Sequence, residues 1–206
     1  MHKPRNACTL ALALTAMLAL ANTACTQRDF LTRHSAADII SNSDSFRAQQ
    51  EFWLRTGIIS NKDYLSPEYL VLQHRGWITG VNVPCSPDVA PPPCWDVALT
   101  PLGVGAFRDL VPNAATVSRY FSVPTSRREL VSVTGISKEG NFADVDFLWK
   151  WVPLNEVGEA LAGGGVHYRS SVTFKHYDDG WRVVESVPAR TVRSMDDALK
   201  AAEAVP

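Results

Sequence analysis

The chain carries none of the short signatures that announce a chemistry. It has no His-Glu-x-x-His zinc helix, no Gly-x-Ser-x-Gly nucleophile elbow, no Cys-x-x-Cys pair and no Gly-Lys-Ser/Thr phosphate loop. The glycine run at 163–165 lacks the Lys and Ser or Thr that would follow in a phosphate loop, so it reads as a hinge. Charge is nearly balanced, with 20 Lys+Arg against 21 Asp+Glu and no basic cluster or acidic tract. Neither nucleic acid nor an anionic membrane surface is therefore implied as a partner. Cysteine is scarce, and no further Cys or His stands close to Cys85 and Cys94, so no metal site and no cofactor is expected. What is present is an ordinary globular composition, 46% hydrophobic and 20% charged, on enough chain to bury a core.

The N-terminus speaks first. Lys3 and Arg5 precede an uncharged, Ala/Leu-rich run over 7–21, and small residues follow up to Cys25. A positive start, a short apolar run and small residues before a cut describe an export signal over 1–24. The run is shorter than the ~20 apolar residues a spanning helix needs. The ending Asn22-Thr23-Ala24-Cys25 resembles the lipobox of bacterial lipoproteins, whose cysteine is lipidated and becomes the new N-terminus. That resemblance implies lipidation at Cys25, a membrane partner through the anchor, and a place in the cell envelope or periplasm. Asn22 departs from the apolar residue usual in that motif, and cleavage after Ala21 at Ala19-Leu20-Ala21 is the alternative. Losing Lys3 and Arg5 with no acid takes the net charge from −1 to −3. Residues 25–34 then read as a tether.

Residues 35–112 read as a helical module. Ser35 and Asp38 form a capping-box pattern for a short helix, and Phe46 and Trp53, seven apart, suggest a second helix over 46–56 stopped by Gly57. Ser66-Pro67 opens a further helix that Gly76 can close, with Tyr69, Leu70 and Gln73 on one face. Strands are expected over 77–83 and 95–100, and Cys85 and Cys94 bracket the turn-rich loop between them, so a disulfide is the simplest reading. Thr100-Pro101 opens a helix to about residue 110. Helix, wide-tipped hairpin and helix over 64–110 resemble part of a winged-helix domain. That helix carries Arg75 against Glu68 and no basic stripe, so the resemblance points to a structural or partner-binding piece rather than a DNA reader.

Residues 113–206 change texture and read as an antiparallel sheet. In the run 143–153, Val145, Phe147, Trp149 and Trp151 fall on one side and Asp144, Asp146 and Lys150 on the other, the alternation of a half-buried strand. Further strands are expected over 119–123, 129–138, 166–177 and 181–187, with hairpin turns at 138–141 and 178–180. A helix is expected over 152–161, with Pro153 near its start, and another over 195–204 capped by Ser194. Long strands, hairpins and an inserted helix resemble the cystatin-like/NTF2-like superfamily. The fold class is α+β: N-terminal helices with a disulfide-tipped hairpin, then a curved antiparallel sheet of about five strands with an inserted and a C-terminal helix.

The polar constellation nearest to a site is His167, His176, Asp178 and Asp179. An odd spacing puts the two histidines on opposite faces of a strand, and the aspartates serve the turn before Gly180. No catalytic residue is assigned. Trp149, Trp151, Tyr168 and His176 are the candidate ligand-binding residues, with a filled core as the competing role for Trp149, Trp151, Tyr168, Phe174 and Trp181. The expectation is an exported, non-catalytic binding or interaction module, with an envelope protein as partner. The alternatives are a small-molecule binder or enzyme with a pocket in the sheet and, against the charge pattern, a nucleic-acid binder.

Overall fold

The alternating run forms strand β6, Phe142–Pro153, inside an antiparallel sheet. The computed structural model describes residues 30–85, 92–110, 119–162, 165–184 and 192–205. On one side β6 pairs with β5, Tyr120–Glu139, and on the other with β7, His167–Tyr177. The β5–β6 turn is Gly140-Asn141, with Gly140 at φ +58, a value that suits glycine. Strand β1, Gln50–Arg55, pairs with the first third of β5. Strands β8, Gly180–Val183, and β9, Glu203–Val205, pair with opposite ends of β7. The order is β1-β5-β6-β7-β8, with β9 as a sixth strand on β7.

The face of β6 that holds Ala143, Val145, Phe147 and Trp149 is buried, whereas Asp144 and Asp146 are exposed. Helices α1, Arg33–Asn42, and α2, Asp44–Arg47, cover that apolar face together with α7, Met195–Lys200. Phe46 meets Phe147 and Trp149 edge-on, with centroids 6.2 and 6.5 Å apart. Helix α1 begins one turn earlier than the sequence suggests. Thr32 is its N-cap, and a reciprocal pair of bonds with Ser35 replaces the Ser35/Asp38 box.

A second core lies in the other module. Its elements are β2 (Gly57–Ser60), α3 (Asn61–Tyr64), α4 (Pro67–His74), β3 (Ile78–Val83), β4 (Cys94–Leu99) and α5 (Pro101–Phe107). The small sheet runs β2-β4-β3, and helices precede its hairpin. Cys85 and Cys94 are disulfide-bonded at the loop end of the β3–β4 hairpin. Thr100 caps α5 by accepting a bond from the Gly103 N–H. Gly103 is required there, because a Cβ would lie 1.9 Å from the Trp77 carbonyl oxygen.

Several expectations change. Residues 50–55 form β1 rather than a helix over 46–56: Phe52 and Leu54 alternate inward against β5, while Trp53 is 59% exposed. In α4 the buried pair is Tyr69 and Leu72, and Leu70 faces solvent. The strands expected at 119–123 and 129–138 are one strand, because Ser126 pairs Gln50 on one side and Pro153 on the other. Pro153 ends β6, and Asn155 caps the following helix, α6 (Glu156–Leu161). Helix α7 stops at Lys200 because residues 203–205 pair with β7.

The two cores exchange elements. Helices α1 and α2, early in the chain, pack on the large sheet, whereas Val157 of α6 enters the second core. A bulge makes the second exchange possible. Thr125 is the extra residue where β1 slips against β5 between Gln50 and Glu51, and its carbonyl is free to accept from the Leu154 N–H at 2.9 Å. Asn155 adds a bond from Nδ2 to the Pro124 carbonyl at 2.6 Å. Helix α6 is thereby seated on β5.

Candidate functional site

Between the two cores, a recess of about 240 Å³ opens among β1, β5, β6, β7, α4 and the end of α6. Phe52, Trp151 and Tyr168 give it aromatic walls; Gln50, Thr125 and Ser126 give it polar ones, and Glu51 and Glu68 bring carboxylates. Among the described residues, no Lys or Arg lines it. Leu161 and Ala162 close the α6 side.

Each wall has a local cause. Trp151 is on the core face of β6, one step beyond Trp149, where the helices no longer cover the sheet; it is half-buried where Trp149 is buried. Tyr168 stands opposite Trp149 in the register and stacks on it at 4.7 Å. Behind Trp151, the Arg128 guanidinium lies 4.5 Å from its ring centroid. Burial pushes the Arg128 pKa below its ordinary value, although an arginine keeps its charge at neutral pH. Thr125 donates to the Gln50 carbonyl at 3.0 Å. Ser126 is 1% exposed, and its hydroxyl has no hydrogen-bond partner. An orphaned buried polar group costs roughly 1–3 kcal/mol, so it is the kind of feature that needs a reason.

The wall between the modules is pinned by Tyr69. Its hydroxyl accepts from the Arg55 N–H at 2.7 Å and donates to the Arg55 carbonyl at 2.8 Å, tying α4 to β1. Burial, the larger influence, pushes the Tyr69 phenol above its ordinary pKa; the backbone bond to Arg55 opposes it.

Of the four candidate ligand-binding residues, Trp149, Trp151 and Tyr168 come together, but only Trp151 and Tyr168 line the recess. Trp149 is 2% exposed and donates from Nε1 to Ser170 Oγ at 3.0 Å, so it is a core residue. His176 lies at the other end of β7 beside Trp181, at 4.9 Å between ring centroids. Eight residues of strand place it roughly 26 Å from Tyr168. His167, opposite Lys150, is on the other face from His176. Asp179 is paired with Arg182, and Asp144 accepts from Thr173 at 2.7 Å. Cys25 and Gly163 lie outside the described residues.

Sequence reasoning did not find Gln50, Phe52, Glu68 or Ser126. The first two were read on a helix, and only the β1–β5 pairing brings them beside Trp151. The available signal was the alternation of Phe52 and Leu54.

Chemically, the recess offers aromatic stacking faces and hydrogen-bonding groups. No histidine lines it, and no base is within bonding distance of Ser126 to activate its hydroxyl. Among the described residues no cluster of His, Cys, Asp and Glu could hold a metal ion, and no helix is long and apolar enough to cross a membrane. The disulfide points to a non-cytoplasmic location. Comparison with protein-family models, with curated proteins and with solved structures gives no match.

Proposed function

We propose that this is an exported cell-envelope protein, held to the membrane by a lipid on Cys25, that acts as a non-catalytic binding module. Its ligand seat is the recess between the modules. The observation that carries this reading is the recess itself: aromatic faces from Trp151 and Tyr168 beside the orphaned Ser126 hydroxyl, with two carboxylates and no cation in the lining. Aromatic faces with acceptors favour a small neutral or cationic molecule presenting one flat apolar side. The disulfide and the N-terminal sequence support export.

Two experiments test this. Radiolabelled palmitate should enter the wild type and not a Cys25→Ser chain; equal labelling removes the anchor. Thermal unfolding against a panel of monosaccharides and diamines should give a concentration-dependent rise in midpoint for one class, lost in Trp151→Ala. A flat panel removes the small-ligand reading.

A second reading rests on Trp53 and Tyr120, 59% and 55% exposed on the outer face of the β1–β5 pair, with Arg55 5.3 Å from the Tyr120 ring. Exposed aromatics beside an arginine suit an envelope protein partner. Loss of pull-down by a defined partner in Trp53→Ser, with the recess intact, would favour it.

A further inference from the structure

A second pocket, of about 430 Å³, lies where the end of α2 meets the edge of β5 just past Ser126. We propose that it is an oxyanion site that takes a phosphoryl group. Three of its lining residues are arginines, Arg47, Arg127 and Arg128. Arg128 is built into place. Its Nη1 donates to the Ser45 and Ala48 carbonyls at 3.0 and 2.9 Å, and its plane is held over Trp151 and Trp149 at 4.5 and 5.5 Å.

Arg128 is met by carbonyls and tryptophan faces but by no carboxylate within ion-pair distance among the described residues. None of the three arginines has an ion-pair partner among the described residues. Glu129, the carboxylate in the lining, is already held by Lys150 at 3.0 Å. Asp196 acts on Arg128 only as a secondary influence against desolvation. Of the Arg128 nitrogens, Nε is buried without a partner, while Nη2 has none and is not sealed off. A desolvated guanidinium is costly unless paired, and the fixed, unsealed Nη2 of Arg128, with Arg47 in the same lining, is a donor that a phosphate oxygen can take. Arg47 and Arg127 are exposed, so their charges are reachable from solvent at the pocket's lining.

This proposal does not depend on the recess or on the lipid anchor. The test uses the Cys25→Ser chain, so that no lipid of its own intervenes. Inorganic phosphate is titrated calorimetrically at constant ionic strength held with chloride. Saturable binding is expected in wild-type sequence, weakened on the order of tenfold or more in Arg47→Gln/Arg127→Gln and unchanged in Arg108→Gln, an exposed arginine outside the pocket. Because the Arg47 and Arg127 side chains form no hydrogen bond or ion pair among the described residues, the double variant should melt at the wild-type midpoint without phosphate. Flotation with phosphatidylglycerol vesicles, against phosphatidylcholine alone, separates a lipid headgroup from free phosphate as the source. Vesicle binding that the double variant loses assigns the headgroup, and phosphate binding without it assigns the free ion. Absence of both, or equal affinity in wild type and double variant, overturns the site.

Discussion

Replacing Gly158 with alanine should unseat α6, with a cost that follows from the structure. An ideal Cβ at Gly158 would stand 1.9 Å from the Thr125 carbonyl oxygen and 2.9 Å from its carbon. Ordinary contact begins at 3.4 Å, so the helix must retreat by about 1.5 Å. The obstacle is backbone, not a side chain that could swing away. Retreat strains the three bonds that seat the helix: Leu154 N–H to the Thr125 carbonyl, Asn155 to the Pro124 carbonyl, and the Gly158 N–H to Asn155 Oδ1 at 2.8 Å. Overpacking costs roughly 1–3 kcal/mol and each weakened bond about 0.5–1.5 kcal/mol, offset by up to about 1 kcal/mol of better helix propensity. The net is a loss of about 1.5–7.5 kcal/mol. At roughly 2–4 °C per kcal/mol for a chain of this size, the midpoint should fall by at least roughly 3 °C, and by up to roughly 30 °C at the upper end, in thermal unfolding followed by circular dichroism. Gly105→Ala is the control: a Cβ there meets nothing within 4 Å, so the midpoint should hold or rise slightly. An unchanged midpoint in Gly158→Ala would refute the seating of α6 on the Thr125 bulge.

Reducing the Cys85–Cys94 bond, which spans a sequence separation of 9, should lower stability by roughly 2–3 kcal/mol in the chain-entropy account, read as a lower calorimetric midpoint with dithiothreitol. Equal midpoints with and without reductant would contradict it. Tyr69→Phe removes both bonds to Arg55 and should cost about 1–3 kcal/mol in urea unfolding at neutral pH; a loss well below that would mean the tie does not hold the modules. The same residue predicts a pH dependence. The folded phenol keeps its proton above the value at which the unfolded chain releases it, so its stabilisation is complete below about pH 10 and is lost as pH rises through the folded pKa. Wild type should therefore weaken more than Tyr69→Phe between about pH 9 and pH 11; parallel decline would show that Tyr69 is not the group responsible.

Local chemistry made part of this molecule readable. The alternation in β6, the Gly140 and Gly180 turns, the Thr100-Pro101 helix start and the Cys85–Cys94 pair all depend on neighbours in sequence. What could not be read depends on distant pairings. Residues 50–55 satisfy a helical spacing as well as an alternating one, and only β5 decides between them. Proline at 124 argues for a break, yet the bulge at Thr125 lets the strand continue past it. Strand β9 is three residues that pair with β7, too short to mark themselves. The site divides the same way: Trp151 and Tyr168 show in the aromatic pattern, whereas Ser126, Gln50, Phe52 and Glu68 join them through the crossing of α4, β1 and α6 between the cores. Trp149 was conspicuous for its bulk, and that bulk is spent on packing.

The recess as ligand seat is tested most directly at the Trp151 indole. Its Nε1–H resonance, assigned by its loss in Trp151→Phe, would be followed in titrations with the monosaccharide and diamine panel. Saturable movement of the Trp151 signal, with Trp181 at the far end of the sheet unmoved, is the result this account predicts. Saturable binding that shifts other residues and leaves Trp151 in place, or no saturable shift with any compound, would contradict it.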